Sequence, residues 1–256
     1  KFKIRDVDEW KQAFLKIAAL KKKYPKIRRL DLRRPKDVYA LHQFVKEKGI
    51  KDKTLNLMLG QAKIGRLPNL IFDITLKDKE DMTIVLPQLM SVGYSPRNIN
   101  LVWALTNYYI AIQQNKDPKR GRIVPDDIML DTHEGAARTM WNFINAGTPA
   151  TLDGAVHVVL GGRKHTVFWK DQDGNAIDGS LKSKYGTDRV VIKDFKYITL
   201  KDAGSNMTDE TEVKKQLLKW IRENTPKTLH NKGMFGSGTD DIQEGAEVLP
   251  EIYCDM

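Results

Sequence analysis

Two stretches of this chain are apolar at nearly every position and then stop: "LPNLIFDIT" (67–75), which ends on Asp73 and Thr75, and "NINLVWAL" (98–105). A strand with one face in water carries a polar side chain at every second position. A run without that rhythm belongs to a strand covered on both faces, as in a parallel sheet flanked by helices. Helical spacing surrounds both runs. Residues 8–24 bring Trp10, Phe14, Ile17 and Leu20 to one side with lysines opposite, and Pro25 ends that helix. A shorter strand, "FKIRDV" (2–7), precedes it and ends in acid.

The alternation continues. A second helix is expected from about Pro35–Asp37 to Gly49, a linker helix or loop over 51–66, a helix over 78–92 closed by Gly93, and another in "NYYIAIQQNK". Pro125 opens a long helix over 124–147, with Asp126 and Asp127 beside its positive end and Gly147 at its close. Strand and helix in turn predict an α/β fold with a parallel sheet and helices on its faces. After Pro149 the pattern changes. Residues 155–178 read as β-hairpins around the Asp173-Gly174 turn, "VVIKDFKYITL" as one further strand, and 208–224 as an amphipathic helix capped by Thr208. The expected organisation is a core over 1–148, a β-rich segment with its helix over 149–230, and a flexible acidic tail over 231–256.

Charge is distributed unevenly. Residues 1–36 hold fourteen Lys/Arg against four Asp/Glu, a net of +10 that equals the excess of the whole chain, whereas 233–256 hold six acids and no Lys/Arg. A basic front is suited to a polyanion such as nucleic acid, and an acidic tail to a protein partner, although a charge run alone is more often a solvated face. The aromatic residues of the front, Trp10, Phe14 and Tyr24, are better placed for packing than for stacking on bases. The single Cys254 permits no internal disulfide and no cysteine-based zinc site, and the five histidines form no H-x-x-x-H pair, so no metal site is read from either residue type. No apolar run is long enough for a membrane helix, so no membrane partner is expected.

Chemistry would gather at strand ends. Asp6 and Asp8 flank the end of the first strand, where alternate side chains face opposite sides; either could take a proton from a substrate hydroxyl, or Asp8 could cap the next helix. Asp73 ends a strand too apolar to face water, and a carboxylate there needs a metal-bound water, a basic group or a helix N-terminus; Thr75 stands beside it. Lys119, Arg120 and Arg122 lie in the basic loop "KDPKRGR", where guanidinium forks could clamp phosphate oxygens. "GGRKHT" (161–166) imitates a phosphate loop but leads into a strand, and "DQDGNAID" imitates a calcium loop with its glycine misplaced. Both read as turns. No G-x-x-x-x-G-K-[ST] occurs.

In order, a strand ending D-x-D, a helix, "LPNLIFDIT", a helix, "INLVWALTNYYIAIQQN", a basic loop and "RIVPDDIMLDTHEGA" resemble P-loop kinases of the zeta-toxin and polynucleotide-kinase type. The nearest likeness is to zeta-like kinases of large phages, and it covers roughly residues 2–147. The resemblance implies ATP-dependent transfer of a γ-phosphoryl group, with magnesium, to a hydroxyl of a nucleotide, nucleotide-sugar or nucleic acid. It implies a place in the host cytoplasm, or in the virion. Asp6 or Asp8 would activate the acceptor, Arg120 and Arg122 would clamp phosphates together with Lys119, and Asp73 with Thr75 would stand on the nucleotide side. In that family the phosphate loop precedes the D-x-D strand, so here it would lie upstream of Lys1. The alternative is an inactive kinase-fold protein serving as a structural or nucleic-acid-binding component.

Overall fold

The structure, a computed structural model, describes residues 2–62, 66–118, 121–177 and 192–231. Lys119, Arg120 and nearly all of the acidic tail named above lie outside the described residues. The chain opens with β1 (Phe2–Asp6), which turns directly into α1 (Val7–Lys16) and then α2 (Ala18–Lys23). The single helix expected over 8–24 bends at Ile17, whose backbone is extended. A β-branched residue tolerates that conformation well. The bend turns Leu20 and Tyr24 onto a small core of Phe14, Ile27, Leu41, Val45 and Ile50. There Phe14, Tyr24 and Phe44 meet edge to face at 5.1–5.9 Å, so these aromatic rings do pack on one another. Leu41 and Val45 come from α3 (Pro35–Glu47), which Gly49 closes with φ +57°, and the segment left open as helix or loop is α4 (Ile50–Ala62).

Next come β2 (Asn69–Asp73), α5 (Glu80–Ser91), β3 (Leu101–Leu105), α6 (Tyr108–Asn115) and α7 (Asp126–Ala146). Asn107 caps α6 by accepting from the backbone N–H groups of Tyr109 and Ile110. β1 and β2 pair in parallel, Phe2 with Asn69 through Asp6 with Asp73. The mixed α/β class with parallel strands is therefore present, but as two separate sheets. β3 does not pair with β2; its partner is β4 (Val156–Leu160), in parallel, and β7 (Tyr197–Lys201) adds to β4 antiparallel.

β4 corrects the hairpin reading of 155–160. Its residues alternate and precede two glycines, which looks like a hairpin arm, yet α6 and α7 form the crossover that lays it beside β3. The expected strand over 190–200 divides at Lys196 into β6 (Ile192–Phe195), which pairs with β5 (Thr166–Phe168), and β7. The Asp173-Gly174 turn is present, with Gly174 at φ +86° and a bridge from Lys170 to Ala176. The last elements are α8 (Thr211–Asn224) and α9 (Lys227–Asn231). Thr208 is not the cap of α8; that place falls to Glu210, without a side-chain bond, and Thr208 Oγ1 accepts from Glu210 N instead.

A sheet joining 101–105 to 156–160 runs across the 148/149 boundary drawn from composition. So does the main core, which takes Leu86 and Leu89 from α5, Met140 and Phe143 from α7, Val156 and Val158 from β4, and Leu217 and Ile221 from α8. Gly135 lets α7 lie close on the loop after β2, since a Cβ there would fall 2.4 Å from the Lys77 carbonyl oxygen. Among the described residues no helix is long and apolar enough to cross a membrane.

Candidate functional site

The carboxyl ends of β1 and β2 form one edge. In-register partners on parallel strands send their side chains to the same face, so Asp6 and Asp73 stand side by side there. Asp6 is buried, and its Oδ1 accepts from the backbone N–H of Asp8 at 2.8 Å. The helix-capping role weighed for Asp8 thus belongs to Asp6, because the strand ends one residue before the helix starts and only Asp6 sits at the junction.

Asp8 has a different task. Its Oδ1 accepts from Lys11 Nζ at 2.8 Å, and its Oδ2 lies 2.6 Å from Arg122 Nη1. Burial on its own would raise this carboxyl. The charge of Arg122, then that of Lys11, together with the hydrogen bonds both donate, outweigh burial and lower it to about 2 from the ordinary 3.8. A carboxyl that is more acidic folded than unfolded lends stability once it is ionised in both states. That contribution disappears as pH falls from about 4 through about 2. Because Asp8 is partly exposed and its ion pairs are screened, an Asp8→Asn variant should be less stable than wild type by about 1–2 kcal/mol above pH ~4. The gap should close near pH 2. Urea titrations at stepped pH measure it, and a gap constant across that range contradicts the assignment.

Arg122 reaches Asp8 because its loop is pinned at the neck. Buried Asn115, the last residue of α6, donates from Nδ2 to Val124 O at 2.6 Å and accepts at Oδ1 from Val124 N at 2.9 Å. Ile123 N donates to Leu32 O at 2.9 Å, which ties the same strap to the basic front. Sequence reasoning missed Asn115; an amide ending a helix seven residues before the Arg-Ile-Val-Pro stretch was its only trace. It also missed Arg5, buried beneath the edge, which donates to Lys51 O at 2.8 Å and to Thr54 Oγ1 at 3.3 Å, fixing α4 against β1.

Beside this edge a cleft of about 1290 Å³ opens between β2 and β3. Asp73 and Thr75 line its carboxyl end, with Thr106 after β3 and Thr132 and His133 from α7. Burial lowers the pKa of His133, whose ring meets Tyr108 edge to face at 5.2 Å, so at neutral pH its imidazole is uncharged. Leu76, next to Thr75, is buried at φ +51°, a costly backbone for a γ-branched residue and a mark of a loop held in place by its surroundings. Four candidates from the sequence therefore converge: Asp6, Asp73, Asp8 and Arg122. Thr75 sits at the adjoining mouth, and Lys119 and Arg120 lie outside the described residues.

Oxygen donors at Asp6 and Asp73 suit a magnesium ion, which takes one or two carboxylates and keeps several waters. A nucleoside triphosphate fits less well. Among the described residues, the helices that start at this edge, α1, α5 and α6, open on Val7, Glu80 and Tyr108, and none follows a glycine-rich turn whose amides could cradle phosphates. No protein-family model, curated protein or solved structure matches the chain.

Proposed function

We propose that residues 2–147 form the acceptor half of a zeta-toxin-like phosphotransferase of P-loop kinase type, acting on a hydroxyl of a nucleotide, nucleotide-sugar or nucleic acid. What carries this reading is the register that sets Asp6 beside Asp73 at the carboxyl edge of two parallel strands, with the Asp8–Arg122 pair adjoining. Open α/β sheets bind ligands at that edge. In this reading Asp6 and Asp73 orient the acceptor hydroxyl and receive its proton. Asp8, with one carboxylate oxygen held by Lys11 and the other by Arg122, acts as a positioning residue that aims the Arg122 guanidinium. Arg122 faces the charge that builds on the transferred group, where a planar fork is most effective. Magnesium held by Asp6 and Asp73 would supply further neutralisation of that charge. The amide cradle for the donor is not met among the described residues, so no step is assigned to it.

The excess of Lys/Arg over residues 1–36 favours a second reading: a non-catalytic kinase-fold protein whose basic front binds nucleic acid as part of a larger assembly. One assay separates the two. Protein expressed from its whole reading frame is given γ-labelled ATP, magnesium and, in turn, a hydroxyl-terminated oligonucleotide, a nucleoside monophosphate and a UDP-sugar. Label on any acceptor is the expected result. Salt-sensitive oligonucleotide binding with no label on any of the three contradicts the transferase reading and favours the second.

A further inference from the structure

Among the described residues, β6 alone has every side chain exposed. Its sequence, Ile192-Lys193-Asp194-Phe195, runs through Lys196 into Tyr197 of β7 with no cover on either face. Phe195 is 43% exposed and Tyr197 58%, and their rings lie tilted against each other at 5.8 Å. Only one edge of this stretch is paired. β5 lies along β6, β4 lies along β7, and no described strand lies on the far side. Lys196 fixes which side is which, since it donates its N–H to His165 O at 3.3 Å and its carbonyl accepts from Leu160 N at 2.9 Å. Alternate residues of a strand turn their backbone groups to opposite edges, so Phe195 and Tyr197 turn theirs outward. There the Phe195 N–H reaches its own neighbour, Asp194, whose Oδ1 accepts it at 2.8 Å. The open edge ends at Leu200, whose carbonyl accepts from Thr208 N at 2.7 Å.

An open edge is a template for another strand, and the residues along this one select a second copy of the same chain. A two-fold axis normal to the sheet lays the strand against its own antiparallel image and keeps each side chain on its face, so the axis passes through a residue. Passing through Asp194, it sets two carboxylates opposite each other; passing through Lys196, it sets two ammonium groups opposite each other. Like charges directly opposed are destabilising. Through Tyr197 it leaves Lys196 facing Ile198. Through Phe195 every pair is favourable: ring meets ring, and each Asp194 meets the Lys196 of the other copy. We infer that the 194–197 edge is an isologous interface at which two copies of the chain pair antiparallel about Phe195. The Phe195 N–H and C=O of each copy exchange two bonds, and Asp194, released from that amide, turns to the ammonium group opposite. Regular pairing stops at Lys193, the extra residue of the β5–β6 bulge, because Ile192 and not Lys193 stands opposite Phe168. The contact is therefore short, and the dimer is weak and reversible.

This inference rests on strand pairing and charge and is independent of the phosphotransferase reading; failure of label transfer leaves it intact. The test is sedimentation equilibrium of the 1–256 chain up to about 500 μM. Wild type should follow a monomer–dimer equilibrium that weakens by about tenfold between roughly 50 mM and 500 mM salt, as ion pairs at an exposed edge are screened. Asp194→Lys opposes ammonium groups and Lys196→Asp opposes carboxylates, so each variant alone should stay monomeric. Mixed in equal amounts, the two should form a heterodimer, because each supplies the charge the other lacks. The chain carrying both substitutions keeps the wild-type net charge and should dimerise again. Both positions are exposed, so every variant should keep the wild-type thermal transition by circular dichroism. A wild-type chain that stays monomeric overturns the proposal, as do single variants that dimerise like wild type. A mixture or a doubly substituted chain that stays monomeric overturns it too.

Discussion

Replacing Asp6 by asparagine should lower phosphoryl transfer by about 10²–10⁴-fold, the span typical of a lost acid–base group. The substitution is chosen so that fold and chemistry separate. Asparagine keeps the Oδ1 that accepts from Asp8 N, so the turn from β1 into α1 survives, and asparagine and aspartate are nearly equivalent at a helix N-cap. What is lost is the carboxylate that, in the proposed reaction, accepts the proton beside Asp73. The variant should unfold within about 1 kcal/mol of wild type while its rate falls by the equivalent of roughly 3–5 kcal/mol. Rate measurement paired with urea denaturation reads both. Unchanged transfer with an intact fold removes Asp6 from the reaction.

Leu217→Ala should destabilise the protein by about 3 kcal/mol, since a buried leucine truncated to alanine loses its transfer energy and leaves a cavity that neighbours fill only in part. Leu217 has no exposed surface, and the cluster holding it draws on helices and strands from both sides of residue 148. The loss should therefore appear as one cooperative transition shifted down by about 10 °C, reported alike by probes before and after that boundary. An early transition confined to 149–231, with the rest unshifted, would show that the main core is not shared.

Local signals in the sequence were legible, and pairings were not. The starts of β1, β2 and β3 follow from apolar runs, and Gly49, Gly93 and Gly147 close their helices with positive φ as their positions predict. β4 was misread because "VHVVL" alone cannot say whether its partner is the next strand or one lying before a long helix. The capping bond weighed for Asp8 falls to Asp6 because a D-x-D at a strand end leaves open which acid meets the helix start. The Arg122–Asp8 bond depends on Asn115 closing a loop far along the chain, a contact no spacing announces. In the sequence the fully apolar character of β2 and β3 reads as a demand for cover on both faces, and the structure meets it on one face only. The exposure of Ile71 and Val102 shows where that demand is unmet.

The pairing of Asp6 with Asp73 is tested most directly by a double-mutant cycle in transfer rate: Asp6→Asn, Asp73→Asn and both together. Two carboxylates acting on one acceptor should give a double variant about as slow as the slower single one, because residues that work as a unit are not additive. Losses that multiply, or an Asp73→Asn variant that transfers as wild type does, would contradict a shared site.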